Sequence, residues 1–94
     1  MRYTLHDDEL EFSAIRAQGP GGQNVNKVAT AVQLRFNAKA SALPPDVKAR
    51  LLALPDSRIT KDGEVVIKAQ GARSQELNKA EALARLIELI EQAE

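Results

Sequence analysis

Residues 30–36 read TAVQLRF. Val32, Leu34 and Phe36 occupy every second position, and polar or small side chains lie between them. A period of two predicts a strand with one face in the core and one face in solvent. This strand is the reference from which the rest of the fold is predicted.

Similar strands are predicted on both sides of it. Upstream, residues 10–15 (LEFSAI) show the same alternation, and downstream residues 64–69 (EVVIKA) form an apolar run. Asp62-Gly63 separates that run from residues 58–60 (RIT) and favours a two-residue hairpin turn, since glycine accepts positive φ. The sequence therefore predicts a small antiparallel sheet of three to four strands.

Two helices are predicted around these strands. Residues 44–46 (PPD) place proline and a carboxylate in a first turn, and Pro55 ends that helix. Ser74 is a candidate cap for a helix from Gln75 to Gln92. Five apolar residues of the second helix fall at helical spacing and are predicted to form its core stripe: Leu77, Ala80, Leu83, Ile87 and Ile90. The fold class is α+β, with the sheet covered on one face by two helices in a single domain, residues 1–94.

Composition excludes several classes of site. The chain has no cysteine, which excludes disulfides and thiolate metal sites. His6 is its one histidine, so a multi-histidine metal site is excluded as well, and His6 is predicted to be a surface residue. The carboxylates of residues 7–11 are predicted to be a solvated acidic start, and no metal site is expected. No apolar run approaches the roughly 18 residues of a membrane span, so a cytosolic protein without a membrane partner is expected.

Charge is unevenly distributed, although the total is zero. Residues 1–11 and 76–94 each carry −3, whereas residues 12–75 carry +6. A basic middle favours a phosphate or RNA partner, and a solvated face with chance asymmetry is the alternative.

Residues 19–27, GPGGQNVNK, form a glycine-rich connection between the first two predicted strands. The phosphate-loop pattern GxxxxGK[ST] fails because Lys27 follows Asn26, and the dinucleotide pattern GxGxxG fails at Asn24. Two interpretations remain: a projecting loop whose glycines allow unusual backbone angles at its tip, or an ordinary surface loop.

Two motifs resemble a known family. GGQ (Gly21, Gly22 and Gln23) within RAQGPGGQNVNK is similar to the GGQ loop of class I peptide-chain release factors, and RSQ (residues 73–75) resembles their segment at the start of the last helix. ELEFSAIRAQGPGGQNVNK is most similar to the small ArfB (YaeJ)-type rescue factors, which act without reading a codon. The resemblance covers nearly the whole chain.

The resemblance implies hydrolysis of the ester that joins a nascent peptide to tRNA, in the ribosomal peptidyl-transferase centre. Gly21, Gly22 and Gln23 would be the catalytic residues: the Gln23 main-chain amide would stabilise developing negative charge, and its side chain would admit water. No cofactor is implied. The expected partners are large-subunit rRNA, P-site peptidyl-tRNA and a glutamine methyltransferase acting on Gln23, with the chain itself a monomer.

Further roles follow from the same resemblance. Four residues are candidate RNA contacts: Arg16, Asn24, Lys27 and Arg35. Three residues are expected to cap the last helix and brace the loop: Arg73, Ser74 and Gln75. Pro20 and Asn24 replace the family's commoner alanine and histidine, and Pro20 is expected to stiffen the ascending arm of the loop.

Two alternatives remain open at this point. The chain would be a GGQ domain excised from a codon-reading release factor, or a ribosome-binding module without activity. Neither the PxT nor the SPF element, which read stop codons in release factors, occurs here in a suitable setting. Stop-codon reading is therefore not expected. The rescue subgroup also has a Lys/Arg-rich C-terminal tail, whereas residues 76–94 are acidic, so the 94 residues are expected to find stalled ribosomes poorly.

Overall fold

The computed structural model describes residues 5–15 and 30–94 of the chain. Within these ranges, the elements follow one another as a 3-10 helix (Asp7–Glu9), β1 (Leu10–Ala14), β2 (Val32–Asn37), α1 (Pro45–Leu52), β3 (Glu64–Ala69) and α2 (Gln75–Ala93). The α+β class is confirmed, and the three strands of the described chain agree with the predicted three to four.

The sheet is antiparallel, with β2 at its centre and the order β1-β2-β3. Leu34 lies opposite Phe12 of β1 on one side and Ile67 of β3 on the other. The alternation in β2 is confirmed, because Val32, Leu34 and Phe36 are at most 1% exposed. β1 lies at one edge of the sheet, where Leu10 and Phe12 are half-buried and Ala14 is exposed.

The helices complete the core on one face of the sheet. α2 packs against β2 and β3, and α1 packs against α2. Ser74 caps α2 as predicted, since its hydroxyl accepts a hydrogen bond from the Leu77 main-chain N–H at 3.1 Å. At the other end of α2, the Arg50 guanidinium donates to the Ala93 carbonyl at 2.6 Å and so satisfies one of the carbonyl groups that a helix end leaves unpaired. No helix in residues 5–15 or 30–94 has the length and apolarity that crossing a membrane requires.

The predicted core stripe of α2 was largely wrong. Leu77 is 61% exposed and Ala80 is exposed, whereas Ile90 is buried as predicted. Leu83 and Ile87 are half-buried at the margin of the core. The residues of α2 that are buried are Asn78, Ala82, Leu86, Leu89, Ile90 and Ala93. The helix is rotated by about one residue, or about 100°, from the predicted orientation.

The hairpin before β3 also differs from the prediction. Thr60 donates its main-chain N–H to the Glu64 carbonyl at 2.8 Å, which leaves a loop of three residues, 61–63, rather than two. Gly63 is the last of them, with φ +84°, as expected for the left-handed residue that closes a three-residue loop. Residues 58–60 make a single bridge, between Ile59 and Val65, and do not form a full strand.

Candidate functional site

The candidate catalytic residues Gly21, Gly22 and Gln23 lie outside the described residues. So do three of the four candidate RNA contacts: Arg16, Asn24 and Lys27. The described part of the site is its base, formed by the residues on either side of positions 16–29.

At this base, the two ends of the connection are adjacent. Ala14, the last residue of β1, lies opposite Val32, the first residue of β2. One step further out, the Ile15 main-chain N–H donates to the Ala31 carbonyl at 3.1 Å. Antiparallel pairing holds neighbouring strands about 4.8 Å apart. Ile15 and Ala31, which lie on either side of the connection in sequence, are therefore side by side at the rim of the sheet.

A buried amide ties this base to the start of α2. Asn78 is 0% exposed, and its side-chain NH₂ donates to the Thr30 carbonyl at 2.6 Å and to the Ala72 carbonyl at 3.2 Å. Its side-chain oxygen accepts the Ala72 main-chain N–H at 3.0 Å. The Thr30 hydroxyl also donates to the Ala72 carbonyl, at 3.1 Å. Three segments of chain thus meet through Thr30, Ala72 and Asn78, which we call the base cluster.

The segment predicted to brace the loop lies beside this cluster. Arg73 and Gln75 are exposed, and Ser74 is half-buried with its hydroxyl on the Leu77 N–H. Their neighbours Ala72 and Asn78 make hydrogen bonds to Thr30 at the loop base. A direct bracing role for residues 73–75 stays a prediction.

Arg35 lies on the solvent-facing side of β2, away from the base. It is three residues along the strand from Val32, or roughly 10 Å at the usual rise of a strand. Its Nε is 4.0 Å from the Glu64 carboxylate, and Glu11 is its partner in register on β1. The Glu64 carboxylate thus lies beside this guanidinium, and the contact of Arg35 with RNA stays a prediction.

The acidic residues near the start of the described chain support local structure. Glu9 accepts the His6 main-chain N–H at 3.0 Å and the Ala42 main-chain N–H at 2.8 Å. These hydrogen bonds, first that from His6 and then that from Ala42, lower the pKa of the Glu9 carboxyl. Within residues 5–15 and 30–94, no group of three or more His, Cys, Asp or Glu side chains is placed to hold a metal ion.

Asn78 is the site residue that sequence reasoning missed. Its signal was a single amide at the first position of an otherwise apolar helix face, Asn78, Ala82, Leu86 and Leu89. The predicted stripe, shifted by one position, placed Leu77 in the core and Asn78 outside it. A buried amide near a loop junction is informative because such groups are kept only where hydrogen bonds satisfy them.

Known proteins resemble this chain over most of its length. It is 64% identical to the "Peptidyl-tRNA hydrolase ArfB" of Pseudomonas putida over 86 residues, which are 92% of this chain and 63% of that protein. It is 37% identical to the "Large ribosomal subunit protein mL62" of Mus musculus over 87 residues, 92% of this chain and 42% of that protein. A "Peptide chain release factor 1" of Bacteroides fragilis is 33% identical over 82 residues, 87% of this chain and 18% of that protein.

The chain spans less than two thirds of the length of each of these relatives. The family model described as "RF-1 domain" matches residues 1–94. The resemblance that the GGQ and RSQ motifs predicted is confirmed by this match, and the chain belongs to the RF-1 domain family.

Proposed function

We propose that this chain hydrolyses the ester bond of peptidyl-tRNA on the ribosome. It would release nascent peptides from stalled ribosomes without reading a stop codon. The observation that carries the proposal is the 64% identity, over 92% of the chain, to a protein named peptidyl-tRNA hydrolase. The chain also contains, at Gly21, Gly22 and Gln23, a motif suited to that reaction.

The chemistry required is stabilisation of an oxyanion and admission of water. Ester hydrolysis builds negative charge on the carbonyl oxygen and on the leaving 3′ oxygen. In this proposal the main-chain N–H of Gln23 donates to that charge, and loss of one such donor typically costs ~2.7–4 kcal/mol of transition-state stabilisation. Gly21 and Gly22 allow the backbone angles that aim the amide. The Gln23 side chain hydrogen-bonds water and excludes larger nucleophiles.

The described base supports this proposal by its geometry. A main-chain donor stabilises a transition state only if it is held in a fixed direction before the reaction. The Ile15–Ala31 hydrogen bond and the base cluster fix both ends of the segment that carries Gln23. The sheet and α2 therefore provide a rigid mount for it.

The finer assignments form part of the same proposal. Four residues would contact rRNA or tRNA phosphates: Arg16, Asn24, Lys27 and Arg35. Arg73, Ser74 and Gln75 would support the loop. The chain would act in the cytoplasm as a monomer on large-subunit rRNA and P-site peptidyl-tRNA, and a glutamine methyltransferase would modify Gln23.

A second candidate is a ribosome-binding module, which need not have hydrolytic activity. The mouse relative at 37% identity carries the name of a large ribosomal subunit protein. Such a module would bind ribosomes and leave peptidyl-tRNA intact, which a release assay distinguishes directly.

The test measures release of labelled peptide from ribosomes stalled on truncated mRNA. Gly21→Ala and Gly22→Ala should each reduce the release rate about a hundredfold or more, because the displaced amide no longer stabilises the oxyanion. Both variants should stay folded, since a Cβ on a glycine that requires positive φ costs roughly 1–2 kcal/mol, which is less than the ~5–15 kcal/mol stability of a typical domain.

The chain offers a matched control for this experiment. Gly71→Ala is the same substitution at a described position where an added Cβ meets nothing within 4 Å. It should release peptide at the wild-type rate. Wild-type release by a folded Gly22→Ala variant would contradict the assignment of the loop, and ribosome binding without release by the unmodified chain would favour the binding module.

A further inference from the structure

We propose that Asn78 is a positioning residue for this reaction, one that fixes the direction in which residues 16–29 leave the base cluster. The inference rests on the proposed function and adds to it a residue outside the GGQ and RSQ motifs. Asn78 does not act on substrate itself. It would act through Thr30, the residue that directly follows that segment in the sequence.

The side chain of Asn78 uses both its donor and its acceptor groups. It donates to the Thr30 carbonyl at 2.6 Å and the Ala72 carbonyl at 3.2 Å, and accepts from the Ala72 N–H at 3.0 Å. Thr30 is 48 residues away in sequence and two residues before β2, so this amide joins the chain that enters β2 to the first turn of α2. A single 0%-exposed side chain thereby holds two separate stretches of main chain.

An apolar residue would also fill this position of the buried face, but it would not supply the hydrogen bonds to Thr30 and Ala72. The other buried residues of α2 are alanine, leucine and isoleucine, which pack without preferred direction. Burial of an amide is unfavourable unless its hydrogen bonds are made. Those hydrogen bonds then prescribe the distance and angle between β2 and α2, which apolar packing does not. In this chain we assign to the buried amide of Asn78 the role of fixing that distance and angle.

The placement matters because catalysis by an aimed donor is sensitive to small displacements. Gln23 is seven positions before Thr30 in the sequence. In this proposal, a change in the direction of the chain at Thr30 changes where the candidate catalytic amide points. A misplacement of about 1 Å far from the reacting atoms is enough to lower a rate about a hundredfold.

The experiment compares three variants in the peptide-release assay. Asn78→Ser keeps a small polar side chain that is too short to reach Thr30. Thr30→Val keeps the shape of residue 30 and removes its hydroxyl from the Ala72 carbonyl. Val47→Ala, in α1 and remote from the base cluster, is the control for loss of stability. Each is assayed at a temperature where circular dichroism shows it fully folded, and the maximal rate and the half-saturating concentration are measured separately.

We expect Asn78→Ser to lower the maximal rate about tenfold or more, with an unchanged half-saturating concentration. Thr30→Val should lower the same parameter by a smaller factor. Val47→Ala should keep both at wild-type values, although its melting temperature falls. A folded Asn78→Ser variant with the wild-type maximal rate would overturn the proposal. If that variant does not fold, Asn78→Leu, which keeps an apolar side chain of similar size on the buried face and loses the donor to the Thr30 carbonyl, replaces it, and a wild-type maximal rate for the folded Asn78→Leu variant would overturn the proposal.

Failure of the proposed function is distinguishable from failure of this inference. If the unmodified chain releases no peptide, the reaction assignment is wrong. Amide hydrogen exchange then tests the base cluster by itself: Asn78→Ser should speed exchange at Ile15, whose N–H donates to the Ala31 carbonyl, and at Ala72, and Val47→Ala should not. Unchanged exchange at both amides would show that Asn78 does not position the base.

Discussion

Asp56 and Arg58 form an ion pair at the corner between α1 and β3. The guanidinium donates through Nε to Asp56 Oδ1 at 2.9 Å and through Nη2 to Oδ2 at 2.7 Å. The Arg58 carbonyl accepts the Val66 main-chain N–H, so the pair also holds this corner against the edge of β3. The hydrogen bonds from Arg58, side chain first and main chain second, lower the pKa of Asp56 from 3.8 to about 2.

Asp56→Asn should therefore destabilise the fold in a pH-dependent way. A carboxyl whose pKa is lowered on folding contributes stability above its unfolded pKa, and that contribution is lost as the pH falls through the folded value. The stability difference between wild type and Asp56→Asn should be constant above about pH 5 and should shrink between pH 3.8 and about 2. Because the pair is partly exposed, it should amount to about 1 kcal/mol or less. Urea unfolding across this pH range measures it, and a difference that grows on acidification would contradict the assignment.

At the scale of elements, the orientation of α2 shows what apolar spacing leaves undetermined. Leu77 and Leu86 both belong to apolar series with helical spacing, and only contacts with other elements decide which series is buried. The structure buries the series that contains Leu86, at 0% exposed, and leaves Leu77 61% exposed. The hydrogen bonds of Asn78 to the base cluster agree with this orientation, because they need Asn78 on the inner face.

This orientation predicts opposite outcomes for two leucine-to-alanine variants. Leu86→Ala creates a cavity in the core and should lower the free energy of unfolding by about 2–5 kcal/mol. Leu77→Ala removes an exposed side chain and should change it by less than about 0.5 kcal/mol. Chemical denaturation of the two variants under the same conditions measures both values. A larger loss for Leu77→Ala than for Leu86→Ala would mean that α2 is buried in the orientation of the predicted stripe.

Elements whose determinants are local could be predicted from sequence. The β2 alternation, the Ser74 cap and the two helices depend on neighbouring residues and were predicted correctly. The three-residue loop ending at Gly63 was predicted one residue short, because its length is set by pairing between Thr60 and Glu64 rather than by the Asp62-Gly63 dipeptide.

The candidate site also has one part that could be predicted from the sequence and one part that could not. The residues of the GGQ and RSQ motifs are contiguous in sequence, so the motifs indicate the family by themselves. Asn78 was missed because its importance depends on a partner, Thr30, that is 48 residues away. Long-range contacts of this kind leave little trace in a single sequence.

At the scale of the whole molecule, the base cluster and the far end of α2 lie well apart. α2 starts one residue after Ser74, next to the cluster, and its 19 residues extend roughly 28 Å to Ala93. The Arg50 guanidinium holds that far end through the Ala93 carbonyl. A segment attached after Glu94 would therefore begin far from the base cluster and would leave the cluster unchanged.

Charge predicts what such a segment would do. The 94 residues carry a net charge of zero, and residues 76–94 carry −3. Binding to RNA gains much of its strength from phosphate neutralisation and the release of counterions. We expect a Lys/Arg-rich segment appended after Glu94 to lower the concentration needed for peptide release on ribosomes with truncated mRNA, without raising the maximal rate.

Salt dependence separates this electrostatic effect from a general gain in affinity. The advantage of the basic segment should shrink as salt rises, because each neutralised phosphate adds to the dependence of binding on salt concentration. A segment of equal length with Gln and Ser in place of Lys and Arg is the matched control and should give no advantage. Ribosomes whose mRNA extends well past the A site should resist the basic fusion, since message would occupy the channel that the segment needs. If the unextended chain releases peptide at equally low concentration, recognition of stalled ribosomes must come from a surface of the folded domain itself.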